Sequence, residues 1–184
     1  MSPRSFSTEG IVISRKNYGE ADRLLLIFSK HSGKMFLLAK GVRKPKSRKR
    51  GHIEIFSRLK YSYTKNDHFI LMNEAELVDS YDEIRISLQK TSLAYYFVEI
   101  IGKILQEDEN QEMLYQILTT YMNMLKTSRK LRDLRLNYIY DVLVNLGYWP
   151  DGKEMLNHDK VIEAVLERQI NSIRVGKKLL KYSS

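Results

Sequence analysis

Cysteine is absent from this 184-residue chain, tryptophan occurs once and proline three times. Without cysteine there can be no disulfide, no thiolate metal ligand and no cysteine nucleophile. No apolar run approaches the roughly 18 residues that a membrane-spanning helix needs. The opening "MSPRSFSTEG" has no apolar core of the kind a secretion signal carries. Together these absences lead us to expect a cytoplasmic protein. The phosphate-cradling spacings GxxxxGKS/T and GxGxxG are missing as well, so a nucleotide site has no support. The four histidines, His31, His52, His68 and His158, are scattered, and none stands in a metal-ligand spacing. Neither a metal nor a cofactor is expected. Glu107, Asp108 and Glu109 adjoin one another, and Glu74 and Glu76 share a strand face, but carboxylates become a catalytic pair only inside a pocket. A nuclease built on them would need Mg²⁺. A non-catalytic protein is the expectation.

What the chain has in excess is positive charge, and it is unevenly placed. Net charge is +9. Residues 1–80 hold 16 Lys and Arg against 8 Asp and Glu, a net of +8, while the remainder holds 15 against 14, a net of +1. A basic half beside a nearly neutral half points to two units, the first of which meets a polyanion.

The two halves also differ in period. The first reads as five strands: "TEGIVISRKNYG", "ADRLLLIFSK", "GKMFLLAKG", "HIEIFSRLKYSYT" and "HFILMNEAELV". In the fourth, Ile53, Ile55, Leu59, Tyr61 and Tyr63 fall on one side. Five short strands joined by Gly, Asn, Asp and Ser turns, with the longest connection between the third and fourth, predict a five-stranded OB-fold over residues 1–80. From about Asp82 the period is helical. The stripes are Leu93, Phe97, Ile100, Ile104; then Leu114, Ile117, Tyr121, Leu125; then Leu136, Ile139, Leu143, Leu146. Val161, Val165 and Leu166, with Ile173 and Leu180, allow one or two shorter helices. The fold class is therefore α+β, a β-barrel followed by a helical bundle over residues 81–184.

Candidate binding residues gather around the third strand. If it is extended, Lys34, Phe36, Leu38 and Lys40 point one way and Met35, Leu37 and Ala39 point into the barrel. Two cations flanking an aromatic can stack a base and track phosphates. The strand runs into "GVRKPKSRKRG" (Gly41 to Gly51), where six of the eight residues from Arg43 to Arg50 are basic. Glycines permit bends at both ends, and like-charge repulsion predicts no fixed conformation until a polyanion neutralises the run. Lys40, Arg43, Lys44, Lys46, Arg48, Lys49 and Arg50 are thus phosphate-binding candidates, working with Arg23 and Lys34 along the face of the second and third strands. Contacts of this kind are indifferent to sequence. In the helical half, Tyr95, Tyr96, Phe97 and Tyr121 exceed what a small core needs. With Lys126, Arg129, Lys130, Arg132 and Arg135 nearby, they suggest a groove for an acidic partner peptide.

Three stretches carry a family resemblance. "YGEADRLLLIF" (Tyr18 to Phe28), "LAKGVRKPKSRKRG" (Leu38 to Gly51) and "LGYWP" (Leu146 to Pro150) resemble, in order and spacing, motifs of the RecO recombination mediators of bacterial DNA repair. The resemblance implies an OB-fold followed by a helical domain that binds single- and double-stranded DNA and anneals complementary strands. It also implies partnership with RecR and, in many bacteria, with the acidic tail of single-strand binding protein, in loading RecA at the nucleoid. Arg23 matches the family's hairpin arginine, and Lys40, Arg43, Lys46, Arg48 and Arg50 match its basic loop. The chain departs from the family where "DGKEMLNHDK" follows "LGYWP", because many members carry a zinc-binding cysteine cluster there. An OB-fold protein acting on structured RNA is the alternative that the basic loop alone would allow.

Overall fold

The computed structural model describes residues 5–47, 52–66, 69–105 and 111–167. Five strands form a closed barrel: β1 (Ser5–Tyr18), β2 (Asp22–Ser29), β3 (Gly33–Ala39), β4 (Arg58–Lys65) and β5 (Ile70–Asp79), in the order β1-β2-β3-β5-β4. β1 closes the barrel because it is long enough to pair antiparallel with β4 along 5–11 and with β2 along 10–18. β3 meets β5 in parallel at Leu38 and Leu71. This is the predicted OB arrangement. Its interior is filled by alternate residues, among them Leu25, Ile27, Met35, Leu37, Ala39, Leu59, Tyr61 and Tyr63. Gly10 lies where β1 passes between neighbours, opposite both Ser29 and Leu59. A Cβ there would come within 2.5 Å of Ile27 Cγ2 and 2.9 Å of the Phe28 carbonyl oxygen.

The expected fourth strand starts too early. The structure begins β4 at Arg58, and residues 52–57 form a turn strapped to β1. The Phe56 N–H donates to the Val12 carbonyl at 2.7 Å, and the Val12 N–H donates to the Ser57 carbonyl at 3.0 Å. This happens beside a register shift in β1 between Val12 and Ser14. Phe56 adopts φ of 56°, the left-handed region that a phenylalanine rarely enters. Its ring is fully buried.

Next in the chain come the helices α1 (Asp82–Arg85), α2 (Leu88–Ile104), α3 (Glu112–Thr127) and α4 (Leu131–Asn145), with a further helical stretch at 158–167. Ser87 opens α2 by accepting from the Lys90 N–H. The predicted α2 stripe is wholly buried. In α3, Leu118 is buried where Ile117 was expected, and in α4 the core includes Leu134, Tyr138 and Val142 while Leu136 and Leu146 are half-buried.

By compactness the chain divides between Thr127 and Ser128. In the first unit, helices pack directly on the barrel. The ring of Tyr115 lies 5.7 Å from that of Phe28, edge to face, and Tyr95 lies 5.3 Å from Phe56. The Tyr115 hydroxyl donates to Glu9 at 2.9 Å, and Glu9 is paired with Arg58 Nε at 3.0 Å. In the second unit, α4 and a helical stretch at 158–167 are joined by Arg135 and Asp159. The Arg135 guanidinium, by hydrogen bonding, holds that carboxyl below its usual range. Among the described residues no helix is long and apolar enough to cross a membrane.

Candidate nucleic-acid interface

The basic loop leaves β3 at Gly41, whose φ of 65° turns the chain sharply. Contrary to expectation, residues 41–47 have a defined conformation. The Gly41 N–H donates to Asp22 Oδ1 at 2.7 Å, the Arg43 N–H to the Ala21 carbonyl at 2.9 Å, and Arg43 Nη1 to the Gly19 carbonyl at 3.2 Å. The loop is thus tied to the turn between β1 and β2. Val42 is fully buried in the barrel core and anchors it from below. Successive turn bonds, Lys44 N–H to Gly41 and Ser47 N–H to Lys44, complete it. Anchored apolar and backbone groups outweigh side-chain repulsion here, because the cations themselves point outward.

Lys40, Arg43, Lys44 and Lys46 are all exposed. Among the described residues, no carboxylate forms a salt bridge with any of them. The structure therefore brings these four candidates together at one end of the barrel. Arg48, Lys49 and Arg50 lie outside the described residues.

Phe36 stands on the outer face of β3, 43% exposed, opposite Leu26 of β2. Lys34 is placed elsewhere. Its ammonium donates to the carbonyls of Gly102 at 2.9 Å and Leu105 at 2.5 Å, so it caps the C-terminus of α2. Six residues of strand put it about 20 Å from Lys40. Leu38 is almost fully buried rather than open.

Arg23 also departs from the expected grouping. It follows the inward parity of Leu25 and Ile27 and closes the mouth of the barrel, so it does not share the Phe36 face. There Arg23 Nη1 lies 3.7 Å from Glu54, and the Arg15 guanidinium contacts the same carboxylate. Arg85 braces the turn that carries Glu54. It donates to the Ile55 carbonyl at 2.9 Å and to Ser57 Oγ at 3.2 Å, and stacks 4.0 Å above the Phe56 ring. Burial lowers the pKa of Arg85 while the nearby Glu54 opposes the shift. Sequence reasoning missed Arg15, Asp22, Glu54 and Arg85. A signal existed for one: Glu54 is the single acidic residue between positions 23 and 66.

In the helical half, Phe97 and Tyr121 are buried against each other with centroids 6.1 Å apart, which accounts for them as core. Lys126 is held by Asp79 at 2.6 Å and lies 5.0 Å above the Tyr81 ring. Among the described residues no group of three or more His, Asp or Glu is placed to hold a metal.

A closed barrel of OB strand order, followed by helices and presenting a tethered loop of exposed cations, defines an OB-fold protein with a basic end. The model for "Recombination protein O N terminal" matches residues 1–81, and that for "Recombination protein O C terminal" matches residues 85–157. The chain belongs to the recombination protein O family. The DNA repair protein RecO of Acetivibrio thermocellus is 32% identical over 146 residues, covering 78% of this chain and 57% of that protein. Its counterpart from Roseiflexus sp. (strain RS-1) is 30% identical over 151 residues, covering 82% and 53%. That from Thermoanaerobacter sp. (strain X514) is 35% identical over 115 residues, covering 62% and 46%. The chain spans about half the length of these relatives.

Proposed function

We propose that the protein is a non-catalytic DNA-binding mediator of recombinational repair. It would hold single- and double-stranded DNA by their phosphates and help complementary strands anneal. The observation that supports this is the loop: Lys40, Lys44 and Lys46 are exposed, have no carboxylate partner among the described residues, and stand on backbone tied to an OB barrel. Cations held this way track a phosphate backbone without reading bases. By neutralising phosphates on two strands they lower the repulsion that opposes pairing. Phe36 adds a stacking surface on the adjoining face. Partnership with RecR and with the acidic tail of single-strand binding protein, ahead of RecA loading, belongs to the same reading and rests on family membership.

The test is the triple variant Lys40→Ala, Lys44→Ala, Lys46→Ala. If each lysine neutralises one phosphate, the salt slope of oligo-dT binding falls by about 2, from about 0.7 per lost contact. Affinity falls alike for all sequences and annealing slows, while the melting temperature hardly changes because exposed charges contribute little to stability. Wild-type affinity and slope in this variant would remove the loop from the interface. Tighter binding to an RNA hairpin than to a DNA strand of equal length would favour an RNA-binding role instead.

A further inference from the structure

Between residues 23 and 66 the chain has thirteen Lys and Arg and one acidic residue, Glu54. That carboxylate sits between two guanidiniums from the β1–β2 hairpin: Arg15 in contact, and Arg23 at 3.7 Å. Arg23 stands across from Asn17, so Arg15 is its diagonal neighbour on the paired strands. The backbone beneath Glu54 is fixed on both sides. Ile53 is buried in the barrel core, the Ile55 carbonyl is held by Arg85, and Phe56 and Ser57 bond to Val12. The Glu54 side chain itself is half-buried, with 37% of it open to solvent.

Two guanidiniums converging on one anion is the arrangement in which arginines recognise a phosphodiester. The position adjoins the basic loop, since Arg23 pairs with Ala39, one residue before Lys40. Of the three side chains Arg23 is the most enclosed, at 16% exposure, and Glu54 the most open, so the carboxylate is the member that an incoming anion reaches first.

We propose that Arg15 and Arg23 form a phosphate subsite at the barrel mouth whose resident occupant is the Glu54 carboxylate, displaced when a nucleic-acid strand is drawn in. Glu54 acts as an internal competitor. It keeps the two arginines from capturing stray anions, and it yields only when the basic loop has already concentrated a phosphate chain beside it. The inference rests on the DNA-binding reading of the loop and adds to it a gate. It has a particular thermodynamic signature. Capture of a phosphate here releases the cation condensed on the strand whether or not Glu54 held the arginines first, so the competitor lowers affinity and leaves the salt slope nearly unchanged.

Glu54→Gln keeps the side-chain shape and removes the competitor. Oligo-dT should then bind several-fold tighter, with a salt slope close to that of wild type, because the same phosphates are neutralised without a competitor to displace. Glu76→Gln, removing a carboxylate elsewhere on the barrel, controls for net charge and should stay within about twofold of wild type. The double variant Arg15→Ala, Glu54→Gln should lose the gain. The proposal is overturned if Glu54→Gln binds no tighter than Glu76→Gln, or if the double variant keeps the improvement. A measurement on the native protein stands beside these in case Glu54→Gln folds poorly. The Arg15 Nε–Hε resonance should move as oligo-dT is added, and an unmoved resonance at saturation overturns the proposal. Binding that depends on Lys40, Lys44 and Lys46 but ignores Glu54→Gln would sink the gate alone. Binding that ignores the loop lysines sinks the interface reading.

Discussion

A single methyl group at Gly10 would meet walls on three sides: Ile27, the Phe28 carbonyl and the Tyr61 ring, all within 3.1 Å. Neither strand can retreat, since β1 is paired along both edges there. Gly10→Ala should therefore cost about 1–3 kcal/mol, seen as a lower urea midpoint with an unchanged m-value. A midpoint equal to wild type would show that the barrel yields more easily than its closure implies. Three tyrosines make a second residue-level case. Burial raises the pKa of Tyr61 and Tyr115, and it pushes Tyr81 up to about 12 against the opposing pull of Arg58. In the unfolded chain all three ionise near about 10. The folded state thus holds protons that the unfolded state has lost, and stability is fully present below about pH 10 and declines above it. With three such groups the decline approaches about 4 kcal/mol per pH unit. A spectrophotometric titration should show these phenols ionising only together with unfolding. Their smooth ionisation in the folded protein would contradict the burial argument.

At the scale of elements, Lys34 shows how a strand pattern can identify a face and stay silent on what a side chain there contacts. Strand alternation rightly put it on the outer face of β3 with Phe36 and Lys40, but alternation says nothing of what covers that face. The end of α2 does, and its carbonyls take the ammonium. Lys34→Met keeps the aliphatic stem and removes the cap. It should cost about 1–2 kcal/mol while leaving the salt slope of DNA binding as it was. A lower slope with unchanged stability would restore Lys34 to the binding track. The basic loop, the number of strands and the α2 stripe were legible because each depends on local composition or period. The start of β4 was not. Ile53 and Ile55 alternate like strand residues, yet Ile53 is core beneath a turn, and the left-handed position falls on Phe56, where no glycine announces it. The Arg15–Glu54–Arg23 cluster was hidden for a different reason: it joins residues about 30 to 40 positions apart through a strap that only the folded barrel creates.

For the whole molecule, the change of period and the division by compactness fall at different places. Strands give way to helices between Asp79 and Asp82, whereas the compact unit runs on to Thr127. The reason is that the barrel is incomplete as a folding unit without its helices. Phe28 and Phe56 are fully buried and pack against Tyr115 and Tyr95, Ile13 lies 3.0 Å from where a side chain on Gly102 would begin, and Glu9 is paired with Arg58 and bonded by Tyr115. Each large apolar side chain uncovered costs about 1.5–3 kcal/mol, so three of them approach the total stability of a small domain. A chain cut after residue 80 should then fail to give a cooperative melt and should expose apolar surface to a hydrophobic dye. A chain cut after Thr127 should melt cooperatively and retain loop-dependent binding to oligo-dT, since barrel, loop and the Glu54 strap all lie within it. If the shorter piece folds and binds alone, the helices of this unit are an addition to the barrel and not part of its core.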